Sequence, residues 1–184
     1  MRLVKKFPLL LGLSASLMAS ATAWALPSDR EQPIRVQADS AELDDQKKVA
    51  VYRGDVVITQ GTMKITGDTV TITQNAQGEV DVFTSVGRPA YYEQQPREGD
   101  PIVKAYGLTI QYFSANERIT LTDQAKVVQQ GNTFEGEKIV YDTRRQIVNA
   151  GRANDKSITT PRPRIDMVIQ PQKKPEQQQQ DPSR

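Results

Sequence analysis

Between residues 34 and 160 apolar side chains recur at every second position, in short runs that turn residues interrupt every 7–12 residues. The runs are Ile34-Val36-Ala38, Val49-Val51, Val56-Ile58, Met63-Ile65, Val70-Ile72, Val80-Val82, Leu108-Ile110-Tyr112, Ile119-Leu121, Ala125-Val127 and Ile139-Tyr141. A period of two places one set of side chains on one face of a strand, whereas a helix needs the i, i+3, i+4, i+7 spacing that no comparable stretch holds. Composition agrees: 38 of these 127 positions are Val, Ile or Thr and only three are Leu. β-Branched side chains fit a pleated surface and lose rotamer freedom on a helix. Asp44-Asp45, Arg53-Gly54-Asp55, Gln60-Gly61, Gly67-Asp68, Gly87-Arg88-Pro89, Gly131-Asn132 and Gly136 punctuate the runs. The expectation is an all-β antiparallel meander with little helix.

The two ends differ from this middle. Arg2, Lys5 and Lys6, an apolar stretch from Phe7 to Met18 and Ala23-Trp24-Ala25 make the three parts of a secretory signal, so residues 1–25 are expected to be cleaved on export. No apolar run reaches the ~20 residues of a spanning helix. Residues 26–33 are polar with two prolines and read as a flexible lead. Residues 171–184 read as a disordered Gln/Pro-rich tail, leaving 34–170 as the folded domain. Without residues 1–25 the formal charge falls from +2 to −1, a poor basis for holding nucleic acid.

The chain has no Cys and no His, which removes disulfides, thiolate nucleophiles, imidazole triads and the common zinc sites. Asp44-Asp45 and Glu135-x-Glu137-x4-Asp142 are carboxylate groupings that suggest acid–base or metal chemistry, and charged turns or outward strand positions account for them better. Neither a metal nor a cofactor is expected.

Residues 49–72 echo residues 119–141, with Gly61 over Gly131 at a separation of 70 and Gly67-Asp68 over Gly136-Glu137 at 69. The echo suggests one hairpin unit stacked on a copy of itself.

The stretch from Ala38-Asp39 through Leu43-Asp44, the Val49-Val51 strand, Gly54 with Val56 and Ile58, Gln60-Gly61 and Gly67-Asp68-Thr69-Val70 resembles the signature of the OstA-like family. The resemblance runs from Gln32-Pro33-Ile34 to about Ile169. It implies a twisted, open antiparallel β-jellyroll, a slot-like stack with an apolar interior, and a periplasmic protein that bridges the two membranes by carrying lipopolysaccharide. Asp123 stands near the position where the first repeat has Gly54, a departure at one local turn.

On that resemblance Ile34, Val36, Tyr92, Ile110 and Tyr112 line the path of the lipid A acyl chains, with Arg35 and Gln111 facing outward. An open sheet also leaves two edges. The first strand, with Ile34, Arg35 and Val36, and the last, with Ile165, Met167 and Ile169, are expected to pair head to tail between copies. The same edges would receive related domains of an inner-membrane-anchored component and of the outer-membrane translocon. Composition alone leaves two alternatives open: a closed β-sandwich that docks proteins without lipid, its interior filled by its own side chains, and an enzyme working with carboxylates only.

Overall fold

The computed structural model describes residues 29–151 and 164–171. The expected signal and most of the Gln/Pro-rich tail lie outside them. The strands are β1 (Arg35–Gln37), β2 (Ser40–Asp44), β3 (Val49–Gln60), β4 (Met63–Gln74), β5 (Val80–Gln94), β6 (Val103–Phe113), β7 (Arg118–Gln129), β8 (Asn132–Asp142), β9 (Ile147–Gly151) and β10 (Asp166–Val168). They form one antiparallel sheet in which β3 to β8 pair with their neighbours in chain order. β1 and β2 share one edge against the two ends of β3, and β10 and β9 share the other edge against the two ends of β8.

The all-β expectation holds, but four of the turn signals do something other than reverse the chain. Gly54-Asp55, Gly67-Asp68, Gly87-Arg88-Pro89 and Gly136 lie inside long strands, where the register shifts or the edge partner changes. The interruptions are aligned from strand to strand: Arg53/Val56 in β3, Thr66/Thr69 in β4, Val86/Ala90 in β5, Tyr106/Thr109 in β6 and Thr122/Ala125 in β7. A β-bulge bends its strand and sharpens the local twist. A line of them folds the whole sheet back on itself, so that each long strand contributes one arm to each of two facing half-sheets.

Glycine occupies two tight points of this fold line. A Cβ at Gly67 would collide with Ser85 Oγ and stand 2.7 Å from the Val86 carbonyl oxygen. Gly54 sits at φ +84°, where an L side chain is strained.

Alternation then fills the space between the half-sheets. One arm brings the row Ile58, Ile65, Tyr92, Ala105, Val127 and Phe134 inward. The other arm brings Ala50, Ile72, Phe83, Tyr112, Ile119 and Tyr141, and beside it Tyr52, Val70, Ser85, Ile110, Leu121 and Ile139. Most of these side chains are fully buried, each worth roughly 1.5–3 kcal/mol where a whole aliphatic or aromatic side chain leaves water.

The internal repeat is real and its offset is 69 throughout. Val49 pairs with Thr73 as Arg118 pairs with Asp142, Val56 with Gly67 as Ala125 with Gly136, and Gln60 with Met63 as Gln129 with Asn132. Gly61 therefore corresponds to Gln130 rather than to Gly131. Both loops have two residues, but the second needs positive φ at Gln130 and at Gly131, and the first only at Gly61.

Candidate functional site

The folding of the sheet brings two rows of strand ends together as the lips of a mouth. The first lip carries the β3–β4 turn, the β5–β6 loop and the β7–β8 turn; the second carries the β4–β5, β6–β7 and β8–β9 turns. Behind the lips the two half-sheets touch. The ring of Tyr92, from one arm of β5, lies 5.8 Å from that of Tyr112, on the opposite arm of β6, and Phe83 lies 6.0 Å from Tyr112. Tyr92, Ile110 and Tyr112 are all buried in this interior, while Ile34 and Val36 are half-buried and pack against it from the N-terminal edge. Val36 pairs with Ile58 and extends the first apolar row. Arg35 is exposed, facing away with its partner Thr59, and Gln111 lies on the outer face between Thr84 and Thr120.

The environment is apolar and short of ionisable groups. Among the described residues the buried polar side chains are Gln60, Ser85, Gln94, Ser114 and Thr143, none of them charged. No cluster of acidic side chains there is arranged to hold a metal ion. Burial pushes the Tyr112 phenol up to about 12, with the Glu117 carboxylate adding to the rise and Arg30 opposing it. Burial also holds Tyr92 well above the ordinary phenol range, helped by Tyr112 and Asp29. Both remain neutral at physiological pH and present hydroxyl-tipped apolar surface.

One element of the mouth lies in the segment assigned above to a flexible lead. Residues Asp29–Glu31 form a 3-10 turn laid against the first lip. The Asp29 carboxylate accepts hydrogen bonds from the Thr62 amide (2.7 Å), the Thr62 hydroxyl (2.6 Å) and Gln94 Nε2 (2.7 Å). Gln60 Nε2 donates to the carbonyls of Arg30 and Gln32. The Tyr92 hydroxyl donates to Gln94 Oε1 and so continues the same network into the core. Sequence reasoning missed this brace, although a signal existed: Gln60 and Gln94 occupy inward positions, two residues beyond Ile58 and Tyr92, where alternation would place an apolar side chain.

Between Arg30, Ile34 and Gln60 on one side and Val80, Tyr112 and Ser114 on the other lies a cleft of about 420 Å³ that opens to solvent. Ser114 Oγ is buried there without a hydrogen-bond partner among the described residues. Farther along the stack the lips are joined directly. Arg97 Nη2 donates to the Arg144 carbonyl (2.7 Å) and Gln146 Nε2 to Asp100 Oδ2 (2.6 Å).

At the two ends of the stack the inward rows stop in exposed apolar side chains. Leu43, paired with Ala50, is 72% exposed at the N-terminal edge, and Met167, paired with Phe134, is 49% exposed at the C-terminal edge. Ile165 and Ile169 flank Met167 and are also exposed.

The apolar rows run the length of the folded sheet, and residues 35–147 match the family model described as LptA/(LptD N-terminal domain) LPS transport protein. The chain belongs to that family. Lipopolysaccharide export system protein LptH of Pseudomonas aeruginosa is 68% identical over 174 residues, 95% of this chain and 99% of that protein. Lipopolysaccharide export system protein LptA of Escherichia coli K12 is 35% identical over 158 residues, 84% of each chain. The crystal structure of LptH, described as the LptA-homologous periplasmic component of the conserved lipopolysaccharide transport device from Pseudomonas aeruginosa, matches with a TM-score of 0.72 at 70% identity, covering 79% of this chain and all of that one. These relatives are named as transport proteins, and the family's open antiparallel β-architecture is the one described above.

Proposed function

We propose that this protein is a periplasmic lipopolysaccharide carrier and one link of a bridge between the inner and outer membranes, with no catalytic step of its own. The observation that carries this reading is the pair of inward apolar rows that run from edge to edge and end in exposed Leu43 and Met167. Ile34, Val36, Tyr92, Ile110 and Tyr112 are the proposed acyl-chain contacts. The carbohydrate headgroup stays in water outside the mouth.

Magnitudes favour partial over complete enclosure. A buried methylene is worth ~0.8 kcal/mol, so about ten of them, fully enclosed, gain roughly 8 kcal/mol per chain and would hold a multi-chain lipid too tightly to hand it on. A cleft that opens along a mouth shields the chains and still releases them sideways.

The edges supply the means of assembly. The outer sides of β1 with Ile34, Arg35 and Val36, and of β10 with Ile165, Met167 and Ile169, offer unpaired backbone groups, and pairing the last strand of one copy with the first of the next would align successive apolar rows. That contact is heterologous and does not close, so it builds an open filament. Related domains of an inner-membrane-anchored component and of the outer-membrane translocon would use the same two edges.

Native mass spectrometry of the mature protein with lipopolysaccharide tests the carrier reading. Discrete adducts of one lipid per protein are expected, and their absence under conditions that preserve the fold would overturn it. Met167→Pro removes a donor from the C-terminal edge; light scattering should then show loss of self-association while the monomer stays folded, and undiminished filaments would refute edge pairing.

A further inference from the structure

The interior is filled by its own side chains in this state, so acyl chains can enter only if the half-sheets part. Two features decide how. The aligned interruptions at Arg53/Val56, Thr66/Thr69, Val86/Ala90, Tyr106/Thr109 and Thr122/Ala125 leave a line without regular ladder pairing across the sheet. At both edges the partner strand changes at the same level, from β1 to β2 and from β10 to β9. A line of missing ladder bonds is where a sheet bends most easily, because neither half-sheet has to break its own pairing. This line lies opposite the mouth.

The mouth is fastened unevenly. On the β5–β6 loop, Asp100 N–H donates to the Arg97 carbonyl and Gln95 Nε2 to the Asp100 carbonyl, so the loop is braced as a unit. On the opposite lip, both the amide and the hydroxyl of Thr143 donate to the Glu117 carbonyl, fixing the β8–β9 turn to the β6–β7 turn. The lip-to-lip bonds Arg97 to the Arg144 carbonyl and Gln146 to Asp100 therefore join two stiff pieces. Both are exposed to water, where such bonds exchange readily with solvent. Nearer the N-terminus the lips are separated by the cleft over Tyr112 and Ser114.

Building on the carrier reading, we propose that the Arg97–Arg144 and Asp100–Gln146 bonds are a latch over the C-terminal half of the mouth, and that acyl chains enter at the unlatched N-terminal cleft and advance toward β8 only as the latch opens about the line of bulges. The device gives one domain a direction: an open receiving end and a gated delivering end.

The absence of native cysteine makes the test clean. Arg97→Cys with Gln146→Cys, bridged by a short bis-methanethiosulfonate that forms a reducible disulfide to each cysteine and releases methanesulfinate, closes the latch covalently, and a photo-crosslinking phenylalanine analogue at Tyr112 or at Tyr141 reports lipopolysaccharide in the receiving or delivering half. With the bridge in place, capture at Tyr141 should fall several-fold while capture at Tyr112 persists, and reduction should restore it. The unbridged Arg97→Ala/Gln146→Ala protein should load the Tyr141 position several-fold faster than the parent, with an unchanged circular dichroism spectrum. Equal capture at Tyr141 in bridged and reduced protein would overturn the latch and leave the carrier reading standing. No capture at either position in the parent background would overturn both.

Discussion

The hairpins β3–β4 and β7–β8 share a register to the residue and differ in what fills it. At the bend, Gly54-Asp55 in the first corresponds to Asp123-Gln124 in the second, and Asp55, Asp123 and Gln124 all take positive φ without being glycine. The fold therefore demands a backbone shape at this level and accepts strain to obtain it. The departure at Asp123 noted in the sequence is a change of residue within a conserved geometry. The hairpins differ again in cover. Ile65, between two long strands, is fully buried, while its counterpart Phe134, which meets only the three-residue β10 on its far side, is half-buried. Position in the stack, more than sequence, sets how much each copy of the hairpin stabilises the sheet.

Truncation at these two counterparts should give the largest contrast. Ile65→Ala should cost about 3 kcal/mol of unfolding free energy and Phe134→Ala roughly 1 kcal/mol, because a cavity costs most where the surroundings cannot collapse or admit water. Urea denaturation of both variants decides it; equal losses would mean that the C-terminal hairpin is as tightly enclosed as the first.

A second contrast follows from Tyr141, which stands where the first copy has Ile72. Burial raises its phenol to about 12, as for Tyr112. A folded-state value above the unfolded value of 10 means that the stabilisation is fully present below pH 10 and disappears as pH rises toward 12. Each such phenol withdraws on the order of 2 kcal/mol over that window. Tyr141→Ile, which copies the first repeat, should flatten the fall in stability between pH 9.5 and 12 measured by denaturant midpoints. An unchanged slope would show that Tyr141 ionises freely.

At the bend itself the effects have opposite signs in the two copies. Gly54→Ala should destabilise by about 1–3 kcal/mol, since the new Cβ meets both a positive φ and the Asp39 carboxylate, while Asp123→Gly should stabilise by a few tenths to 1 kcal/mol by relieving the same φ. Thermal unfolding of the two variants should move the midpoint in opposite directions.

These contrasts also mark what the sequence carries. Period-two alternation names most of the inward rows, Ile110 and Tyr112 among them, because burial of one strand face is a local property of each run; it picks the wrong face at Val49-Val51 and at Val82, where Ala50, Tyr52 and Phe83 point inward instead. It does not distinguish a turn from a bulge: Gly67-Asp68 and Gly87-Arg88-Pro89 break the alternation in the same way whether the chain reverses or bends, and only pairing across strands decides. The latch was not legible for a related reason. Arg97 and Arg144 are ordinary exposed arginines, 47 positions apart, and they meet only because the folded sheet brings its two ends together. The Asp29 brace was half legible, in the two glutamines at inward positions.

The central claim, that the face defined by alternation is the face that carries lipid, is tested most directly by photo-crosslinking to lipopolysaccharide during transport. Probes at Ile34, Val36, Tyr92, Ile110 and Tyr112 should capture lipid, and probes at Arg35 and Gln111, one residue away on the opposite face, should not. Capture of equal strength from both faces would contradict the account, because it would place the lipid outside the folded sheet.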